Sequence, residues 1–171
     1  ILRQYVSVCL DVYKLFKNKG KLNLEELREL HPRHPGIKTL DNILRELRSV
    51  GLIRKVGDYF QISPQGVPAT EEGFRDYMFK KFSRYTPYLR LSDLENKEIG
   101  IPEIVSTLKD IFRGTSFTEK TWVTYAKYLI SWFQFTNLDI NNRIVGPKKG
   151  PKRGWGTITK RSRLFENRET F

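Results

Sequence analysis

Apolar residues recur at helical spacing from the start of the chain, and two short polar or proline-containing stretches interrupt that spacing. Residues 3–17 combine apolar and tyrosine side chains in a pattern that predicts a buried first helix. Asn23 is suited to cap a helix, and acidic residues follow it, so residues 24–30 predict a short second helix. The prolines within residues 31–36 remove backbone donors and disfavour helix before them, which predicts a turn.

A third helix is predicted over residues 38–50, where one face is apolar and the opposite face is polar. Gly51 stands where a helix of this length would end. Two β-rich runs within residues 52–62 surround a Gly-Asp pair, which predicts a β-hairpin. The apolar face consists of Leu40, Ile43, Leu44, Leu47 and Val50. The polar face consists of Lys38, Asn42, Arg45 and Ser49, with Thr39, Asp41 and Arg48 beside it.

This order of elements resembles the winged-helix (winged helix-turn-helix) DNA-binding superfamily over about residues 8–62. Residues 44–53, Leu-Arg-Glu-Leu-Arg-Ser-Val-Gly-Leu-Ile, carry most of the resemblance. The turn at residues 31–36 is longer than the usual three or four residues. The resemblance implies that the third helix enters the major groove, where Asn suits adenine and Arg suits guanine, while wing cations hold phosphates. The implied base-reading residues are Lys38, Thr39, Asn42 and Arg45, with Ser49 beside them and Arg54 and Lys55 on the wing.

After a linker at residues 64–68, the chain predicts a second helical unit. Its helices are residues 74–85, one opened by Pro102, and residues 119–135 capped by Thr118. Residues 138–145 predict a second hairpin, so this unit also resembles a winged helix. A rival interpretation is the small four-helix arm of tyrosine recombinases, whose catalytic half this chain lacks. The outer stripe of the last helix has the offsets found in the third helix, and it consists of Lys120, Thr124, Lys127 and Ser131.

The net charge of +12 lies mostly at the two ends of the chain. Residues 1–66 hold 12 Lys and Arg against 7 Asp and Glu, residues 67–142 hold 10 against 10, and residues 143–171 hold 9 against 2. Such an excess favours a polyanionic partner, although a solubilising, ribosome-like or membrane-surface basic face has the same composition. The composition of residues 147–171 predicts either a flexible basic arm that lies along phosphates or a tail that only increases solubility. Its candidate phosphate ligands are Lys148, Lys149, Lys152, Arg153, Lys160, Arg161 and Arg163.

Signals for catalysis, metals and membranes are weak. Cys9 is the single cysteine, which excludes an internal disulfide and fits a reducing compartment. His31 and His34 with Cys9 lack a fourth zinc ligand, and no nucleotide-binding or acyl-transfer motif occurs. Asp76 and the acidic group at residues 95–97 fall on a helix and a linker, so chance explains them better than a shared Mg²⁺. No apolar run is long enough to span a bilayer.

The sequence therefore predicts a mainly α protein with small β-hairpins: tandem winged-helix units and a basic C-terminal extension, divided at residues 1–66, 67–146 and 147–171. We expect an intracellular double-stranded DNA-binding module, in cytoplasm, nucleoid or nucleus. It would need no cofactor, touch no membrane and have no enzymatic activity of its own. The chain opens without Met, so we expect it to be part of a larger protein of restriction, mobile-element or regulatory type, with further domains as partners. The alternatives are an RNA or single-strand binder, or a protein-interaction domain using Tyr125, Tyr128, Trp132 and Phe135.

Overall fold

The computed structural model describes residues 1–64, 66–95 and 98–145. Over these residues the chain is mainly helical with one small antiparallel hairpin, which is the predicted fold class. None of the described helices combines the length and the apolar character needed to cross a membrane. The helices are α1 (Val6–Tyr13), α2 (Leu24–Leu30), α3 (Ile37–Ser49), α4 (Glu71–Phe82), α5 (Thr86–Ser92), α6 (Ile101–Ile111) and α7 (Glu119–Thr136), and the strands are β1 (Ile53–Val56) and β2 (Tyr59–Ile62).

The chain divides into two compact units. We call Val8–Tyr77 the hairpin unit, because it contains β1 and β2. We call the other the aromatic unit; it comprises Ile1–Ser7 and the described residues from Met78 onward. The division into domains predicted from the sequence stays a prediction, and its last segment, 147–171, lies outside the described residues.

Helix α2 starts where the sequence predicts, because Asn23 and Glu26 cap it reciprocally. The Asn23 side-chain oxygen accepts a hydrogen bond from the Glu26 backbone N–H at 2.8 Å, and the Glu26 carboxylate accepts from the Asn23 N–H at 2.9 Å. These two bonds satisfy backbone donors that have no partner within the helix. The helix ends at Leu30, and the proline-containing turn follows, with His34 at φ 44°.

Helix α3 and the hairpin form the core of the hairpin unit. The predicted apolar face of α3 is buried, and Gly51 then adopts φ 84°, the left-handed conformation that glycine tolerates best. Strands β1 and β2 pair from Ile53 opposite Ile62 to Val56 opposite Tyr59, as the sequence predicts. Leu22 extends this small sheet, since its backbone exchanges hydrogen bonds with Phe60 at 2.9 and 2.8 Å. The hairpin is thereby fixed on both sides of β2.

Packed rings form the core of the aromatic unit. Phe82 lies edge-on to Trp132 and Phe133, with ring centroids 5.8 and 5.6 Å apart. The indole N–H of the fully buried Trp132 donates to the backbone oxygen of Gln4 at 2.8 Å. Helix α7 begins after Thr118, whose hydroxyl accepts from the Thr121 N–H, as predicted.

The aromatic unit contains a helix that the sequence analysis did not predict, and one of its predicted elements is wrong. Thr86 and Pro87 begin the additional helix, α5, because proline is tolerated in the first turn of a helix. Residues 138–145 were expected to form a second hairpin, but Asp139–Arg143 is a 3-10 helix. Ile144 then forms a parallel bridge with Ile99, flanked by backbone hydrogen bonds of 2.7 and 2.9 Å. Ile144 thus pairs with a distant residue rather than within a local hairpin.

Candidate nucleic-acid interface

The polar face of α3 lies at the surface of the hairpin unit. Its apolar side packs into the core, which leaves the other side for solvent. All four residues predicted for the polar face are exposed, and so are Thr39 and Arg48 beside it. The predicted wing residues Arg54 and Lys55 are exposed on β1. The structure therefore brings the residues predicted for the first unit onto neighbouring surfaces of α3 and β1.

A groove of about 710 Å³ lies between the C-terminal half of α3 and strand β1. The chain leaves α3 at Ser49, turns at Gly51 and enters β1 at Ile53, so these two elements flank the groove. Four of its six lining residues are cationic and none is acidic; we call it the cationic groove. Its lining consists of Arg45, Arg48, Ser49, Ile53, Arg54 and Lys55.

Three of the four groove cations have no acidic partner. Among the described residues, no ion pair involves Arg48, Arg54 or Lys55. Uncompensated cations that share a concave surface add their fields and attract anions. The groove therefore carries a positive charge that would attract an anionic group.

Local contacts orient the groove side chains. Arg54 faces Gln61 across the hairpin, and the Gln61 amide oxygen, when turned toward it, accepts from the guanidinium at 2.6 and 2.8 Å. The Lys55 ammonium lies 5.6 Å from the centre of the Phe60 ring, a cation–π contact. The Ser49 hydroxyl donates to the Glu46 backbone oxygen at 2.8 Å, so its proton is directed back into α3.

Arg45 differs from the other groove cations, because it has a carboxylate partner on its own helix. Its Nε donates to Asp41 Oδ2 at 3.0 Å, one turn earlier in α3. The Arg45 side chain is nevertheless 70% exposed, whereas that of Asp41 is 28% exposed. The Arg45 guanidinium thus reaches solvent while its Nε–H is bonded to Asp41.

The predicted outer stripe of α7 is far less accessible than that of α3. Lys120 is exposed, but Thr124 and Lys127 are half-buried. The Ser131 hydroxyl accepts from the Val6 N–H at 3.3 Å and donates to the Tyr128 backbone oxygen at 2.7 Å, so its role is internal. The placement of Ser131 on an outer face is therefore wrong. The predicted tail ligands at residues 148–163 lie outside the described residues.

Sequence reasoning omitted two residues from the candidate site, Arg48 and Asp41. Arg48 lines the groove three residues after Arg45, at the spacing that makes helical neighbours. Asp41 stands four residues before Arg45, which is the spacing of a helical ion pair. Both spacings are visible in the sequence, but the groove that gives Arg48 its importance depends on how β1 returns alongside α3.

The two histidines have local structural partners. The backbone N–H of Arg33 donates to His31 Nδ1 at 3.1 Å, and His34 Nδ1 lies 3.1 Å from the Arg28 backbone oxygen. Burial lowers the pKa of the His31 imidazole. Burial also raises the pKa of the Cys9 thiol, and nearby carboxylates raise it further. Within the described ranges, no three His, Cys, Asp or Glu residues are grouped as metal ligands would be.

No protein-family model, curated protein or solved structure matches this chain. The candidate interface is therefore characterised by its own geometry. It consists of an exposed polar helix face and a groove with four cationic side chains, both within Val8–Tyr77.

Proposed function

We propose that this chain binds double-stranded DNA through α3 and the β1–β2 hairpin, in the manner of a winged helix. The cationic groove is the observation that carries the proposal. In this mode α3 lies in the major groove, and Arg48, Arg54 and Lys55 contact phosphates beside it. Phosphate contacts set affinity and register, whereas base contacts set sequence preference.

The dimensions of α3 support a duplex partner. Its 13 residues make a rod about 20 Å long, and the B-DNA major groove, about 12 Å wide, admits one helix. Lys38, Thr39 and Asn42 extend the exposed face toward the N-terminal end of α3, where recognition helices commonly contact base edges. The major groove of A-form RNA is too narrow for such an approach. Duplex DNA therefore fits this surface better than duplex RNA does.

The aromatic side chains give less support to a protein-docking function. Trp132 is fully buried and bonded to Gln4, so it is unavailable at a surface. The Tyr5 and Tyr128 rings pack edge-to-face, with centroids 4.7 Å apart. Tyr125, Tyr128 and Phe135 are half-buried, so an aromatic docking patch would lack Trp132 and present only part of the other rings.

The rest of the proposal concerns the setting of the module. We infer an intracellular recognition module, with neither catalytic step nor cofactor assigned, that directs other domains of a larger protein to DNA. Cys9 as the single cysteine and the net charge of +12 support this setting.

Binding measurements on the whole chain test the proposal. Fluorescence anisotropy would compare one labelled duplex DNA with its single strand and with duplex RNA, over a series of salt concentrations. We expect the tightest binding to duplex DNA. Log affinity plotted against log salt concentration should fall with a slope of about −3 or steeper, since each phosphate contact contributes about 0.9. Equal affinity for the single strand, or affinity independent of salt, would contradict the proposal.

The basic tail provides a separate prediction. Removing residues 147–171 deletes eight Lys and Arg. If they contact phosphates, the deletion weakens binding to all duplexes alike and flattens the salt slope by about 0.9 for each lost contact. An unchanged slope would show that the tail does not touch DNA, without affecting the role of the groove.

A further inference from the structure

The Asp41–Arg45 pair places a carboxylate on the helix that is proposed to approach DNA. Asp41 is the most accessible carboxylate of α3, because the other acidic residue of the helix, Glu46, is buried. A negative charge on a helix face that approaches phosphates opposes binding by Coulomb repulsion. Asp41 therefore needs a role other than adding affinity.

The contact geometry indicates that role. The guanidinium of arginine has one N–H at Nε and four at the two terminal nitrogens. Asp41 accepts from Nε of Arg45, which leaves the terminal Nη1 and Nη2 edge for an outside acceptor. No other hydrogen bond or ion pair within the described part of the chain engages the Arg45 side chain. The pair thus presents one defined donor edge to solvent.

That edge matches a guanine. Arginine reads guanine by donating two parallel hydrogen bonds to the O6 and N7 acceptors in the major groove. A long exposed side chain loses rotamer freedom when it binds, and a group already held by a neighbour loses less. Asp41 restrains Arg45 before binding, so less freedom remains to be lost on contact.

We propose that Asp41 is a positioning residue that holds Arg45 for bidentate recognition of a guanine at one position of the DNA site. This inference rests on the proposed function. It adds the identity of one contacted base, guanine, and the residue that orients Arg45 toward it. Asp41 itself accepts from Arg45 and need not touch the DNA. Its charge lowers affinity for every sequence, while its hydrogen bond raises the preference for guanine.

Two substitutions separate the charge of Asp41 from its hydrogen bond. Asp41→Ala removes both, whereas Asp41→Asn removes the charge but retains an oxygen that can accept from Nε. The experiment is a binding-site selection from randomised duplexes with the full chain, followed by affinities for the selected duplex and its single-base variants. Arg45→Ala serves as the positive control, and thermal melting verifies that each variant is folded.

The expected results differ in direction. Both Asp41 variants bind non-selected duplexes more tightly than the wild type, because each loses one negative charge. Asp41→Ala lowers the guanine preference about twofold, the factor corresponding to an exposed helical ion pair, while Asp41→Asn keeps most of it. Arg45→Ala removes the preference, which for a bidentate contact is about five- to 150-fold.

A matched control lies on α4. Glu71 and Arg75 form the same i,i+4 ion pair at 2.9 Å, in the same unit but outside the candidate interface. Glu71→Ala removes an equal charge and is expected to leave base preference unchanged. A change equal to that of Asp41→Ala would overturn the inference.

The failure of this inference differs from the failure of the proposed function. The role of Asp41 is refuted if the chain binds duplexes without sequence preference. It is also refuted if wild type, Asp41→Ala and Asp41→Asn share the same preference. Either result leaves DNA binding intact. Equal loss of preference in the Asn and Ala variants makes charge the cause and also refutes positioning. A wild-type chain that does not bind duplex DNA refutes both.

Discussion

The hairpin unit and the aromatic unit each contain a long amphipathic helix, but the two helices have different surroundings. Helix α3 buries one apolar face and leaves a continuous polar face exposed. Helix α7, with 18 residues, is buried or half-buried along most of its length, and even its polar Ser131 is bonded internally. Similar spacing of polar residues therefore accompanies two different degrees of exposure.

The units also differ in how their cations are paired. In the hairpin unit, Arg48, Arg54 and Lys55 surround a groove without an acidic residue. In the aromatic unit, Asp110 accepts hydrogen bonds from Arg90 and Arg113. A cation beside a carboxylate contributes little to the field that attracts a distant anion. The distribution of charge, rather than the number of cations, therefore distinguishes the candidate interface.

The largest expected effect concerns the cationic groove. Replacing Arg48, Arg54 and Lys55 together by Ala should weaken duplex binding on the order of 100-fold and reduce the salt slope by about 2.7, because three phosphate contacts are lost. Anisotropy at several salt concentrations measures both quantities. All three side chains are exposed, so the melting temperature should change little.

A triple variant in the aromatic unit is the matched control for the groove. Lys80, Lys81 and Arg84 are three exposed cations at the end of α4 and in the turn after it. Replacing them by Ala removes the same charge but should cost far less affinity. If this control weakened binding more than the groove variant, the principal DNA contact would belong to the aromatic unit.

The next effect compares the two helices directly. Changing Lys38 and Arg45 to Ala should weaken binding to the preferred duplex on the order of tenfold, because base contacts are lost. Changing Lys120 and Lys127 to Ala should cost about threefold or less, since Lys127 is half-buried and cannot fully reach a ligand. Competition binding with both double variants ranks the helices. The opposite ranking would assign base reading to α7.

A smaller effect tests whether the rings of the aromatic unit serve stability. Trp132→Phe removes the N–H donated to Gln4 and should lower the free energy of unfolding by about 1–2 kcal/mol, with DNA affinity unchanged in the folded protein. Urea denaturation provides the measurement. Trp122→Phe is the control, because Trp122 is also buried but its indole N–H has no acceptor among the described residues. Equal losses in both variants would make packing the cause.

The smallest effect is a pH dependence in the aromatic unit. Hydrogen bonds from Arg113 and Arg90 lower the pKa of Asp110. The stabilisation that the ionised Asp110 contributes is therefore fully present above its unfolded-state pKa, about 4. It is lost as the pH falls through the lowered pKa of the folded state. Asp110→Asn should therefore lower the melting temperature slightly at neutral pH, and the difference from wild type should vanish in acid. Asp76→Asn removes the same charge at an exposed aspartate that has no ion pair in the described residues, and it serves as the control. A difference that persists in acid would contradict this origin.

Features that depend on neighbouring residues could be predicted from the sequence. The Asn23 cap, the apolar face of α3 and the Gly-Asp turn all act within a few positions, so their patterns predicted α2, α3 and the hairpin closely. The same reasoning identified the exposed residues of α3, because an amphipathic helix must bury its apolar side.

Features that join distant parts of a unit depend on tertiary packing and could not be predicted from local patterns. Residues 138–145 alternate as a hairpin would, but Ile144 pairs with Ile99, 45 positions earlier, and Arg143 donates to the Ser92 backbone oxygen. The cationic groove likewise exists because β1 returns beside α3. Local spacing specifies which residues share one face of a helix or strand. Whether that face is covered depends on residues far away in the sequence, which only the folded chain brings next to it.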